Sequence, residues 1–204
     1  MYTLYADHRS GHCYKIQLVC ALLDIEYQWV EIDLLQLQHL SDDYLAINPK
    51  HQVPTLVIDD KDHNPVIITE SNAILNYLAA GSRLIPTNNI AHAQMLQWQF
   101  YEQSTFQPPI STIRWIKHYQ NMPSKRMDEY HQKLTLVKEN FAYLNHYFAD
   151  HHFLVNDNFS LADITLFAYA HIANMGGIDF NKYPHVVSWL QRIKSQPRFV
   201  SMPT

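Results

Sequence analysis

Cysteine is scarce in this chain: two among 204 residues, Cys13 and Cys20. Both fall on one expected helix, two turns or about 10 Å apart along its axis, too far for a bridge. That excludes a disulfide scaffold and fits a reducing compartment. An excess of positive charge is also missing. The formal net charge is -4, with 17% charged residues, so there is no electrostatic case for a nucleic-acid partner and no polybasic membrane anchor. No apolar run approaches the length of a membrane span. The start, Met1 to Asp7, lacks a basic n-region and an apolar h-region. A cytoplasmic protein without a membrane partner is expected. Thirteen histidines are present, yet none sits in an HExxH or Cys/His zinc spacing, and His151-His152 is the only adjacent pair. No metal site is expected.

What is present is an ordinary globular balance, 47% apolar over 204 residues, enough for one or two domains with a sizeable core. Tyr2 to Ala6 reads as a strand, Gly11 to Leu23 as a helix with Ile16, Val19, Cys20 and Leu23 on one face, and Tyr27 to Ile32 as a second strand. That order predicts a parallel pair with a crossover. A short helix is expected around Ser41 to Ala46. Thr55 to Ile58 and Val66 to Thr69 read as strands joined by a hairpin connection over Asp59 to Asn64. A helix from Glu70 to Ala80 follows. The first 80 residues therefore predict a compact α/β unit, βαβ then ββα, with a mixed four-stranded sheet. Residues 81–89 carry breakers and read as a linker. Residues 90–204 read as all-helical, with helices over Ile90–Gln107, Ile110–Gln120, Ser124–Ala149, Leu161–Asn174 and Pro184–Ser195. Pro108-Pro109 is expected to kink or divide the first helical stretch.

Three groups of residues on the first unit point to one chemistry. Ser10 stands between the first strand and the first helix. It reads either as an N-cap or as a hydroxyl donor to an anion at a helix N-terminus, where a thiol would ionise more easily. Val53-Pro54 enters a short strand. A cis bond there would turn the Val53 N–H and C=O toward a ligand, whereas a trans bond would make Pro54 a strand-entry residue. Glu70-Ser71 opens a helix. Ser71 can give its hydroxyl and N–H to a carboxylate and Glu70 can accept from an ammonium, though the same groups can cap the helix itself. Together they suggest a site for a small peptide with a free amino acid end.

Other residues read more plainly. Cys13 makes Ser10-Gly11-His12-Cys13 a CxxC-like run without its first cysteine, and Cys13 is expected to pack in the core, as is Cys20. Tyr5 is a second hydroxyl candidate or strand packing. His12 reads as an exposed helix-start residue and Lys15 as solvated. Ser160-Leu161-Ala162-Asp163 has the register of a reciprocal cap, which favours a structural Asp163. Glu102, Gln103, Arg114 and Trp115 can line a cleft or an interface, or serve packing and solvation.

In this order and spacing, Ser10 to Lys15, Asn48-Pro49, Gln52 to Leu56, Glu70 to Ile74 and Phe159 to Ile164 resemble the cytosolic glutathione transferase superfamily, serine-type and theta-like, over nearly the whole chain. The resemblance implies a thioredoxin-like domain over 1–80 and a helical domain over 90–204, in a homodimer. It implies a detoxification-type transferase with glutathione as co-substrate, no other cofactor, and a small electrophilic or disulfide substrate. Ser10 would activate the sulfur. Val53 and the cis Pro54 would hold the cysteinyl unit, Glu70 and Ser71 the γ-glutamyl end. Gln52 and His39 would approach the glycine end, although Gln52 replaces a more usual lysine or arginine. His12, Ile110, Arg114 and Trp115 would line the electrophile pocket. Two alternatives accompany this reading: a glutathione-dependent disulfide reductase, and a catalytically weak glutathione-binding or regulatory module on the same fold.

Overall fold

The structure is a computed structural model, and it describes residues 1–59 and 64–203. The expected hairpin connection over Asp59 to Asn64 therefore lies largely outside the described residues. The chain forms two compact units, residues 1–82 with 197–204, and residues 83–196.

In the first unit the strands are β1 (Tyr2–Ala6), β2 (Gln28–Glu31), β3 (Thr55–Ile58) and β4 (Val66–Thr69). Their order in the sheet is β2-β1-β3-β4. β1 pairs parallel with β2, placing Leu4 opposite Trp29. β1 pairs antiparallel with β3, and β3 with β4. The parallel pair requires a crossover, and α1 (Gly11–Leu23) supplies it. The later helices of this unit are α2 (Asp42–Leu45) and α3 (Ser71–Leu78), and α1 packs on α3. Leu4, Ala6, Leu56, Ile16, Val19, Ile74 and Leu75 form the core.

α1 is not the one-faced helix its apolar spacing predicts. Cys13, Tyr14 and Lys15 are buried as well as Ile16, Val19 and Cys20. Part of the reason lies at the other end of the chain. Tyr14 Oη donates to the Val200 carbonyl at 2.7 Å, and Arg198 pairs with Asp24 at the end of α1. The last eight residues, which the sequence places with the helical half, thus belong to the first unit.

The second unit contains α4 (Asn89–Tyr101), α5 (Gln107–Arg114), α6 (Met127–Asp150), α7 (Leu161–Ala170) and α8 (Pro184–Lys194). All ten residues of α7 are buried. A helix apolar on every side belongs in the middle of a core, and α4, α5 and α8 pack around it. Leu84, inside the expected linker, is fully buried and its carbonyl accepts from Leu161 N at 3.0 Å.

At Pro108-Pro109 the regular α-helix is interrupted but the helical path does not end. The helical path runs unbroken from Asn89 to Tyr119, widening to a π turn over Glu102–Phe106 directly before the two prolines. Proline has no N–H to offer the preceding turn. The Thr105 carbonyl, one turn behind Pro109, accepts instead from Asn140 Nδ2 at 3.1 Å. Pro108 and Pro109 fall in the first turn of α5, directly after the π turn.

Candidate functional site

The loop after β1 is built on a buried carboxylate. Asp7 is 1% exposed and accepts from Arg9 N at 2.7 Å, Arg9 Nε at 3.0 Å, Arg9 Nη2 at 2.8 Å and Leu34 N at 2.9 Å. Burial pushes this carboxyl up, but the guanidinium and the main-chain donors together outweigh burial and hold it below the usual range. Arg9 also reaches Asp33 at 2.5 Å, so the loop is tied to the segment after β2. The Asp7 carbonyl accepts from Ser10 N at 3.0 Å, which fixes where α1 starts. Asp7, His8 and Glu31 bring ligand-type atoms together. Both Asp7 oxygens are already engaged by Arg9 and Leu34 donors, and His8 Nδ1 lies 2.6 Å from Glu31 Oε1, so these atoms bond to one another and to Arg9 and Leu34.

Ser10 is the N-cap of α1 and accepts from Cys13 N at a long 3.4 Å. The residue is only half-buried. It therefore caps and still presents a hydroxyl beside the positive end of a helix. Cys13 is fully buried and its Sγ accepts from Asp7 N at 3.4 Å. Burial pushes its thiol up to about 12, the opposite of what a nucleophilic thiol needs. Burial pushes Cys20 up to about 12 as well. Tyr5 packs against Tyr44, with ring centroids 6.2 Å apart.

The first turns of α1 and α3 meet. His12 Nδ1 lies 3.1 Å from Ser71 Oγ. Lys15 Nζ lies 3.4 Å from Ser71 Oγ, 3.4 Å from Asn72 Oδ1 and 3.5 Å from His12 Nδ1. Two expectations fail at this point. Lys15 is 0% exposed rather than solvated, and His12 is half-buried and bonded across to α3 rather than free at a helix start. Burial first, and the Lys15 charge second, hold the imidazole neutral. Ser71 itself is buried.

Glu70 precedes α3 at φ 69° and ψ 113°, with no side-chain cap bond. That is a sparsely populated conformation for a residue with a Cβ, of the kind that concentrates at functional sites. Its carboxylate is exposed, with Lys50 Nζ 3.6 Å away. The Val53-Pro54 bond is cis, and the described residues make no turn or loop hydrogen bond to the Val53 main chain. The preceding carbonyl, that of Gln52, accepts from Tyr44 Oη at 2.5 Å and Asn48 Nδ2 at 2.8 Å. Both donors are buried, so the loop is held from below while the Gln52 side chain is exposed. His39 lies in a 3-10 turn, Gln38–Leu40, and its enclosed Nδ1 has no hydrogen-bond partner.

The electrophile-side residues separate. Ile110 is 0% exposed and belongs to the interior of the helical unit, so it lines no open pocket. Arg114 is buried too, donating to Tyr119 Oη at 2.9 Å. Trp115 is exposed and its ring lies 5.2 Å from that of Tyr119. Asp163 performs the capping its register predicts. It accepts from Ser160 N, Leu154 N and Trp189 Nε1, each at 3.0 Å. The residues that sequence reasoning missed are Asp7, Arg9, Asp33 and the buried role of Lys15. An Asp-x-Arg run directly after a strand was the available signal for the first two.

The matches to known proteins follow the same division. Residues 9–80 match the glutathione S-transferase N-terminal domain and residues 96–197 the glutathione S-transferase C-terminal domain. The chain belongs to the glutathione S-transferase family. A glutathione S-transferase structure from Pseudomonas fluorescens is similar, with 38% identity and a TM-score of 0.94, over 100% of this chain and 99% of that one. The glutathione S-transferase GstA of Escherichia coli O157:H7 is 29% identical, over 84% of this chain and 83% of its own length. The disulfide-bond oxidoreductase YfcG of Escherichia coli K12 is 27% identical, over 95% and 89% respectively.

Proposed function

We propose that this protein binds glutathione in its first unit, ionises the thiol beside Ser10, and transfers the sulfur to a small electrophile. The observation that carries this reading is the meeting of two helix starts, with His12 of α1 3.1 Å from Ser71 of α3. Each helix start carries N–H groups with no partner in a preceding turn of its own helix, and a positive dipole end. One suits a carboxylate and the other a thiolate. Glu70, in its strained conformation, accepts the ligand's ammonium and Ser71 donates to its α-carboxylate. The main chain of Val53 pairs with the cysteinyl unit, and Gln52 and His39 lie toward the glycine end. The thiolate then attacks the electrophilic carbon, forming the C–S bond as the leaving group departs with its electron pair.

Likeness to a disulfide-bond oxidoreductase favours a second reading, in which the bound thiolate attacks a disulfide sulfur and expels a thiolate. Cys13 takes no part in that route, because its thiol is enclosed and its ionisation is pushed up to about 12. No described helix is long and apolar enough to cross a membrane, and both described cysteines are free thiols, which suits a cytoplasmic setting. The homodimer reading is supported by exposed apolar side chains, Val66 and Ile67 on edge strand β4 and Tyr77 on α3.

The test is the ultraviolet absorbance of bound glutathione thiolate across pH, in the wild type and in Ser10→Ala. A thiolate at neutral pH that disappears in the variant is the expected result. Binding with no thiolate in either protein would sink the transferase reading and leave the binding-module alternative.

A further inference from the structure

Lys15 stands out in the first unit because a lysine is almost never fully enclosed unless it is paired. It is 0% exposed, on the second turn of α1, and its ammonium faces Ser71, Asn72 and His12 at 3.4 to 3.5 Å. These three contacts are long. An ammonium only donates. The Ser71 oxygen facing Lys15 therefore accepts, and Nδ1 of His12, which also faces the ammonium, carries no proton. The remaining hydrogen of Ser71 is left to donate, to His12 Nδ1 at 3.1 Å when no ligand is present. The arrangement is a directed chain, Lys15 to Ser71 to His12.

We propose that Lys15 is a positioning residue for the carboxylate of the γ-glutamyl end: it fixes Ser71 as a hydroxyl donor and adds a buried positive charge to the N-terminus of α3. This rests on the glutathione reading above. When a carboxylate arrives, Ser71 turns its hydrogen from His12 to the new acceptor, and no proton changes its owner. The charge of Lys15 strengthens that bond because a charge behind a low-dielectric wall is poorly screened. Lys15 does not touch the reacting sulfur, so it governs affinity rather than the chemical step.

The experiment compares two ligands on the full-length chain by isothermal titration. One is glutathione. The other is the same tripeptide lacking the α-carboxylate of its glutamyl residue. Lys15→Met removes charge and donor, Lys15→Gln keeps a donor and is the second variant should Lys15→Met not fold. The expected result is a dissociation constant for glutathione raised about tenfold or more, with the decarboxylated ligand changed by less than about threefold, and KM raised with kcat nearly constant. Thermal midpoints are expected to fall modestly, since the Ser71 and Asn72 oxygens lose a donor. Equal weakening of both ligands would make Lys15 a packing residue and overturn the proposal, as would an unchanged glutathione affinity. If the wild type itself fails to bind glutathione, the underlying site reading falls first, and that failure is visible before any variant is measured.

Discussion

Helices α1 and α7 both start behind a serine, and they use it in opposite ways. At α7 the start is closed. Asp163 is 0% exposed and takes donors from Ser160, Leu154 and Trp189. At α1 the start is open. Ser10 is half-buried and its hydroxyl accepts one bond, at 3.4 Å, and the neighbouring start of α3 has no side-chain cap bond from Glu70. A helix terminus needs partners for its first N–H groups. Where the chain supplies them, as the Leu84 carbonyl does for Leu161 N and the Ser160 carbonyl for Asp163 N, and a buried carboxylate ties the start to its surroundings, the terminus holds the fold together. Where it supplies few, a ligand can complete the set.

Removing the closed cap should have the largest effect. Asp163→Ala leaves buried N–H groups of Leu154, Ser160 and Trp189 without an acceptor and should cost about 4 kcal/mol of stability, read from the midpoint of urea unfolding. A pH signature accompanies it. Burial raises the Asp163 carboxyl to about 6 against its hydrogen bonds, above the unfolded value near 4. The folded state therefore holds an extra proton between those values, and this group's contribution to stability declines as pH rises from about 4 through 6. Asp163→Ala should flatten that part of the stability–pH curve.

Opening α1 further should spare the fold and damage the chemistry. Ser10→Ala should lower kcat/KM about a hundredfold while costing about 1 kcal/mol of stability or less, measured by steady-state kinetics beside denaturant unfolding. A loss of stability as large as that of Asp163→Ala would erase the contrast between the two termini.

Glu70→Gly sharpens the comparison further. Glycine accepts a φ of 69° without the Cβ conflict, so the variant should gain about 1 kcal/mol of stability and bind glutathione about tenfold more weakly. Loss of both would show that the Glu70 side chain stabilises the turn. Cys13→Ala should have the smallest effect on function, with activity within about twofold and a cavity cost of about 1 kcal/mol. A collapse of activity in stable Cys13→Ala protein would restore a cysteine-based route.

The helix and strand pattern was legible because it rests on local periodicity, and β1, α1, β3 and β4 fall where their apolar spacing places them. The cap at Asp163 was legible for the same reason: Ser160 and Asp163 sit three positions apart. Lys15 was misread because a helical wheel shows which face is apolar but not how many faces are covered. The π turn ahead of Pro108 was not legible because the donor that satisfies Thr105, Asn140, lies thirty-five residues away.

The sequence by itself determined the element order, the placement of Ser10, Pro54 and Ser71 at element starts, and the reciprocal cap of α7, since each is set by residues within a few positions of one another. Only the tertiary structure decided that the tail from Pro197 joins the first unit, that Asp7 is held ionised by Arg9, and that Lys15 lies behind Ser71. Those facts depend on burial and charge between residues distant in the chain, and both are properties of what surrounds a side chain rather than of the side chain alone.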